Sequence, residues 1–117
     1  MEYKIEQQKH NTLVVKLEGR MIGEYQTIDL AEILDEHIED GFIHIVFDLG
    51  NLAFINSSGL NFLLKTLTKV RRLDGEVVLC DLNDLLKTLM VTTKLNSFFT
   101  ISDNLGDALL HLEREKA

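Results

Sequence analysis

Phe42–Leu64 reads FIHIVFDLGNLAFINSSGLNFLL, and two periodicities meet inside it. Its first part, Phe42–Leu49, is rich in β-branched and aromatic residues and is nearly continuous in apolar character. That composition predicts a strand buried on both faces, as in the middle of a parallel or mixed sheet. From Leu60 onward the apolar residues recur at helical spacing. Between the two patterns lies Asn56-Ser57-Ser58-Gly59, which places two hydroxyls at the mouth of a helix. The start of a helix presents free backbone N–H groups and a positive dipole end, so an anion is welcome there. Asn and Ser are also strong helix caps, because their side-chain oxygens accept bonds from those same N–H groups. Two readings of the turn follow. In the commoner one the residues only start the helix. In the other a serine is modified: a phosphate adds about −1.5 to −2 charges and three acceptor oxygens, which the helix end tolerates and a packed partner does not.

Working outward, the segments on both sides alternate between strand and helix. Tyr3–Gln8 and Thr12–Leu17 are predicted strands joined by a turn at Lys9-His10-Asn11. In the second, Leu13, Val15 and Leu17 alternate with Val14 and Lys16, as in a partly buried strand. Gly19 and Gly23 bracket a loop, and a helix follows from Tyr25 to Asp40 with Leu30, Leu34 and Ile38 inward and Gly41 as its stop. After the quoted stretch, a helix over Ser57–Leu73 buries Leu60, Leu63, Leu64, Leu67 and Val70, and Asp74-Gly75 ends it. Glu76–Leu82 is a strand, Asn83–Thr92 a helix with Leu85, Leu86 and Leu89 inward, and Phe98–Ile101 a last strand. Asp103 is expected to cap a final helix carrying Leu105, Leu109, Leu110 and Leu112, with a polar end over Glu113–Ala117 that frays. The order is β-β-α-β-α-β-α-β-α: an α/β fold, one small mixed sheet packed with about four helices.

Composition narrows the function. The 117 residues make one domain, 1–117, with 45% apolar and 26% charged residues. A net charge of −7 disfavours binding nucleic acid or anionic lipid through bulk charge. The N-terminus lacks the apolar segment of a signal peptide, and no run approaches the ~20 apolar residues of a membrane span, so a cytoplasmic protein without membrane insertion is expected. Cys80, the single cysteine, falls in the apolar run Val77–Cys80 and reads as a core residue; a small enzyme built on it would need a base and a pocket that the sequence does not show. His10, His37, His44 and His111 have no metal-like spacing, and neither a P-loop nor G-x-G-x-x-G occurs, so no metal or cofactor is expected. Asp48, at the end of the central strand, lacks the acidic pair and topology of a receiver-type phosphoacceptor and reads instead as an acceptor of backbone bonds in its loop. The acidic face of the first helix and Lys65, Lys69 and Arg72 on the second are either solvated or steer a partner of opposite charge.

The stretch Asp48–Leu64, DLGNLAFINSSGLNFLL, resembles the signature of the anti-sigma factor antagonist family, the STAS domain. In that family a strand ending in Asp-Leu leads through a short loop to Asp-Ser-Ser-Gly-Leu at a helix start. Gly75–Ile101, GEVVLCDLNDLLKTLMVTTKLNSFFTI, and Val14–Met21, VVKLEGRM, resemble later and earlier parts of the pattern. The resemblance implies a binding protein, not an enzyme, with Ser58 as phosphoacceptor, Ser57 as the alternative, and a partner face at Asn56, Ser57, Ser58 and Gly59. Gly59, lacking a side chain, would let a partner approach the backbone. The implied partners are an anti-sigma factor that acts as a serine kinase and a serine phosphatase that resets the switch; a monomer or weak dimer is expected. Two positions depart from the pattern: Asn56 replaces the usual Asp, and Ile22 stands where many members carry an acid. Those departures keep two other readings open, a non-phosphorylated STAS subunit of a larger assembly such as a lipid-transport complex, and a nucleotide-responsive sensor.

Overall fold

The computed structural model describes residues 1–22 and 24–116. Its elements are β1 (Glu2–Gln8), β2 (Thr12–Met21), α1 (Glu24–Glu39), β3 (His44–Ile55), α2 (Ser57–Arg71), β4 (Glu76–Cys80), α3 (Asp84–Thr92), β5 (Thr100–Ser102) and α4 (Leu105–Lys116). The five strands form one sheet in the order β1-β2-β3-β4-β5. The opening hairpin is antiparallel and the other three pairings are parallel, as helical crossovers between successive strands require. The expected fold class and element order are therefore those of the structure.

The sheet is covered on both faces. Leu13, Val15, Leu17, Ile45, Phe47, Val77 and Leu79 point to the main core, which they share with Leu30 and Leu34 of α1, Leu63 and Leu67 of α2, and Leu86 and Met90 of α3. On the opposite face Val14, Val46, Val78 and Cys80 pack beneath Ala108 and Leu112 of α4. This second cluster corrects the reading of β2 as partly buried: Val14 is as fully enclosed as Leu13 and Val15. Leu85, expected inward, is 54% exposed. In α3 the inward positions are Leu86 and Met90, one helical turn apart, and Leu85 is rotated off that stripe.

The helix ends show how sequence sets each boundary. At the end of α1 Gly41 takes φ +99°, Phe42 N–H reaches the His37 carbonyl and Gly41 N–H the Ile38 carbonyl, both at 3.0 Å. That is a Schellman stop of the kind glycine favours. At the end of α2 the left-handed residue is Asp74, with φ +63°. Gly75 serves proximity instead, because a Cβ there would fall on the Ile43 carbonyl oxygen. Asn56 and Asn83 cap α2 and α3. The cap of α4 is Asn104, not Asp103: its Oδ1 accepts the Asp107 N–H at 2.8 Å. The helix runs to Lys116, and Ala117, the last residue of the expected fraying end, lies outside the described residues.

The largest difference from expectation is the length of β2 and β3. β3 was predicted to stop at Leu49 but continues to Ile55, and β2 continues to Met21. β4 stays beside β3 only as far as Asp48, and β1 stays beside β2 only as far as Glu18. Past those points Gly19–Met21 and Leu52–Ile55 pair with each other alone, as a two-stranded ribbon that overhangs the sheet. Gly19, expected in a loop, sits inside this ribbon at a register shift with φ +90°; Gly23 lies outside the described residues. Such an irregularity increases local twist and re-aims the strand. Arg20 lies over the Phe54 ring, 5.3 Å from its centroid, on the outer side of the ribbon. Met21, Leu52 and Ile55 on its inner side are buried.

Candidate functional site

The overhanging ribbon delivers the chain to the start of α2. Asn56 sits there in extended conformation and uses both ends of its amide. Its Oδ1 accepts the Gly59 N–H at 3.1 Å, which caps the helix. Its Nδ2 donates to the Ile22 carbonyl at 2.8 Å, and its backbone N–H donates to the Met21 carbonyl at 3.1 Å. Ile22 is held from its other side, its N–H donating to Gln26 Oε1 at 3.1 Å. The junction between β2 and α1 is thus tied directly to the first turn of α2. A carboxylate at position 56 could cap the helix equally well but has no proton to donate to Ile22.

Ser57 is exposed, and Ser58 is half-buried. Ser58 opens onto a groove of about 190 Å³ between α1 and α2, with Thr27, Ile28, Asn61, Phe62 and Lys65 among its walls. Gly59 is buried. A Cβ at Gly59 would come within 2.7 Å of Met21 Sδ and 2.9 Å of Ile55 Cδ1. The missing side chain therefore serves the close approach of α2 to the ribbon, which corrects the expectation that it opens the backbone to a partner. No acidic residue occupies the first turn of α2, so its free N–H groups and positive dipole end are uncompensated by a carboxylate of that turn.

The β2–α1 junction and the first turns of α1 carry apolar residues in water. Ile22 is 52% exposed, Tyr25 74% and Ile28 53%. Ile22 was singled out in the sequence as a departure from the family pattern; Tyr25 and Ile28 were not, although a signal was present. Tyr25 and Ile28 fall on the far side of the helix from Leu30, Leu34 and Ile38, where a solvated helix carries polar residues. The charged faces are partly engaged with each other: Lys69 of α2 forms an ion pair with Asp35 of α1 across the groove. Arg71 lies 3.6 Å from Glu76.

The other candidates lie elsewhere. Asp48 accepts the Gly50 N–H at 3.0 Å, the backbone bond expected of it, though within the extended β3 and not in a loop. Its carboxylate, the Cys80 thiol and the Asp81 carboxylate offer ligand atoms within 4.8 Å of one another, and no histidine belongs to that group. Burial, and then the nearby negative charges of Asp48 and Asp81, push the Cys80 thiol well above its usual range, so it stays protonated and weakly nucleophilic near neutrality. His10 lies 3.8 Å from Glu113, and His37 packs edge-on against Phe42. No helix of the described residues is long and apolar enough to cross a membrane.

The profile of the STAS domain matches residues 3–108, nearly the whole sheet and the helices as far as the first turn of α4. The chain belongs to the STAS domain family. An anti-sigma F factor antagonist from Paenibacillus polymyxa is 34% identical to this STAS domain over 116 residues, covering 97% of each chain. Among solved structures, the unphosphorylated anti-sigma factor antagonist SpoIIAA superposes with a TM-score of 0.77 at 17% identity, over 97% of this chain and 98% of that one. The phosphorylated form of the Bacillus cell fate determinant SpoIIAA gives 0.74 at 16% identity, over 94% and 98%. At such identities the superpositions speak for the STAS fold alone.

Proposed function

We propose that this STAS domain is an anti-sigma factor antagonist: in its unmodified form it binds an anti-sigma factor of the serine-kinase type, and phosphorylation of Ser58 ends that binding. The observation that carries the reading is the placement of Ser58. It is half-buried at the start of α2, on a groove that the exposed Ile28 also lines. Full-length similarity to an anti-sigma F factor antagonist supports it. In the modifying step Ser58 Oγ bonds to the γ-phosphorus of ATP, the bond from that phosphorus to the bridging oxygen breaks, ADP leaves and the hydroxyl proton is lost. The product carries a near-dianion where an apolar partner surface would have to desolvate it, so the complex separates. A serine phosphatase restores the hydroxyl by hydrolysis. Ser57, more exposed, is the alternative acceptor. Asn56 shapes the turn, and Ser57 and Ser58 meet the partner. The domain acts in the cytoplasm as a monomer or weak dimer and needs no cofactor for binding.

Co-purification from the native host tests this directly, with partners identified by mass spectrometry for the parent, Ser58→Ala and Ser58→Asp. The parent and the Ala variant are expected to retain an ATP-dependent protein kinase that the Asp variant loses. Equal retention by all three would leave Ser58 as a helix residue without a switching role.

A further inference from the structure

On α2, Ser58, Asn61, Phe62 and Lys65 fall on one side of the helix and line the same groove. Lys65 is exposed, and among the described residues no carboxylate lies within ion-pair distance of it. The next lysine along the groove, Lys69, is already held by Asp35. Seven residues separate Ser58 from Lys65, about 10 Å along a helix axis. Side chains on a helix lean toward its N-terminus, so Lys65 leans toward Ser58. A phosphoryl group on Ser58 and the flexible four-carbon stem of lysine together span that interval.

We propose that Lys65 is the internal counter-ion of a phosphate on Ser58, and that their pairing draws the lysine across the groove. The inference rests on the reading of Ser58 as phosphoacceptor and adds a second consequence to the modification. A partner meets new negative charge at Ser58 and, at the same time, loses access to a cation on the α2 face and to the groove between α1 and α2. Among the described residues that line the groove with Ser58, Lys65 is the one that carries a charge, and Asp35 and Lys69 lie in the recess beyond it. Thr27 and Ile28 of α1 are uncharged, as are Ile22 and Gln26 at the β2–α1 junction and Asn61 on α2, while Asp35 is engaged with Lys69.

The test needs no kinase. Phosphoserine is installed at position 58 during translation, and the second ionisation of its phosphate is followed by ³¹P NMR. A nearby ammonium favours the dianion, so the phosphate of the parent should titrate below that of Lys65→Gln by roughly 0.5 unit or more. The gap should shrink in high salt. Lys65→Arg should keep it, and Lys69→Gln should change it less than half as much. Identical titration of the parent and Lys65→Gln would overturn the proposal. A second readout uses the unsubstituted groove: the Lys65 ammonium resonance should shift when phosphoserine replaces Ser58, and a stationary resonance would also overturn it. Either failure leaves phosphorylation of Ser58 standing, whereas phosphate found only elsewhere in the host's protein would sink the switching role while the titration stood.

Discussion

Asn56 joins two elements with one amide, and its two bonds can be separated by substitution. Asn56→Ala loses the cap on Gly59 and the donor to Ile22, and should lower stability by about 1–2 kcal/mol in chemical denaturation. Asn56→Asp keeps the cap but turns a carboxylate oxygen toward the Ile22 carbonyl. Its loss should be smaller, with the Gly59 amide still protected from hydrogen exchange and protection reduced at the Ile22 amide, whose turn is no longer tethered. An Ile22 amide as well protected in Asn56→Asp as in the parent would mean that the tether contributes nothing. The cap was legible from the sequence, because Asn before a helical pattern is a local signal. The bond to Ile22 was not, since it joins residues 34 positions apart. For the same reason Gly59 was misread: its role depends on Met21 and Ile55, which only the fold brings against it.

The seam between α2 and the overhanging ribbon is where the elements set the geometry of the turn. Asn83 repeats the device of Asn56 on the other flank. Its Oδ1 caps α3 through the Leu86 N–H at 2.8 Å, and its Nδ2 donates to the Leu52 carbonyl of the ribbon at 3.2 Å. Two helix caps therefore also hold backbone carbonyls that lie on or next to the ribbon. Gly59→Ala should force α2 away from this support and cost about 1–3 kcal/mol, whereas Asn61→Ala, exposed on the same helix, should be nearly neutral. Thermal unfolding of the two variants checks this; similar melting temperatures would show that the seam relaxes freely. The existence of the strands and helices was readable from periodicity, but the ribbon was not. Gly50 and Asn51 look like a turn in sequence, and only the resumed pairing with β2 from Asn51 onward carries the strand past them.

At the scale of the whole molecule the sheet separates a large core from a small one, and Cys80 reports on the small one. Its folded thiol is raised by burial and by Asp48 and Asp81, whereas an unfolded thiol ionises near pH 8.5, so the sign of the linkage is fixed. Below that pH both states hold the proton and stability is unaffected. Above it the unfolded chain releases a proton that the native chain keeps, and stability should fall by up to about 1.4 kcal/mol per pH unit. Denaturant titrations between pH 8 and 10.5 should show this slope in the parent and a shallower one in Cys80→Ala; parallel slopes would place the thiol in contact with water. Burial of Cys80 was legible in its apolar run and Asp81 follows it in the chain, but its neighbour Asp48 was not legible, because it is delivered from the adjacent strand. The overhang of β2 and β3 has a consequence for how such a chain diversifies. Ile22, Tyr25 and Ser58 are borne past the last strands of the shared sheet, like a blade fixed to a handle. A lineage can reshape that edge for a new partner while the interior that folds the handle keeps its residues.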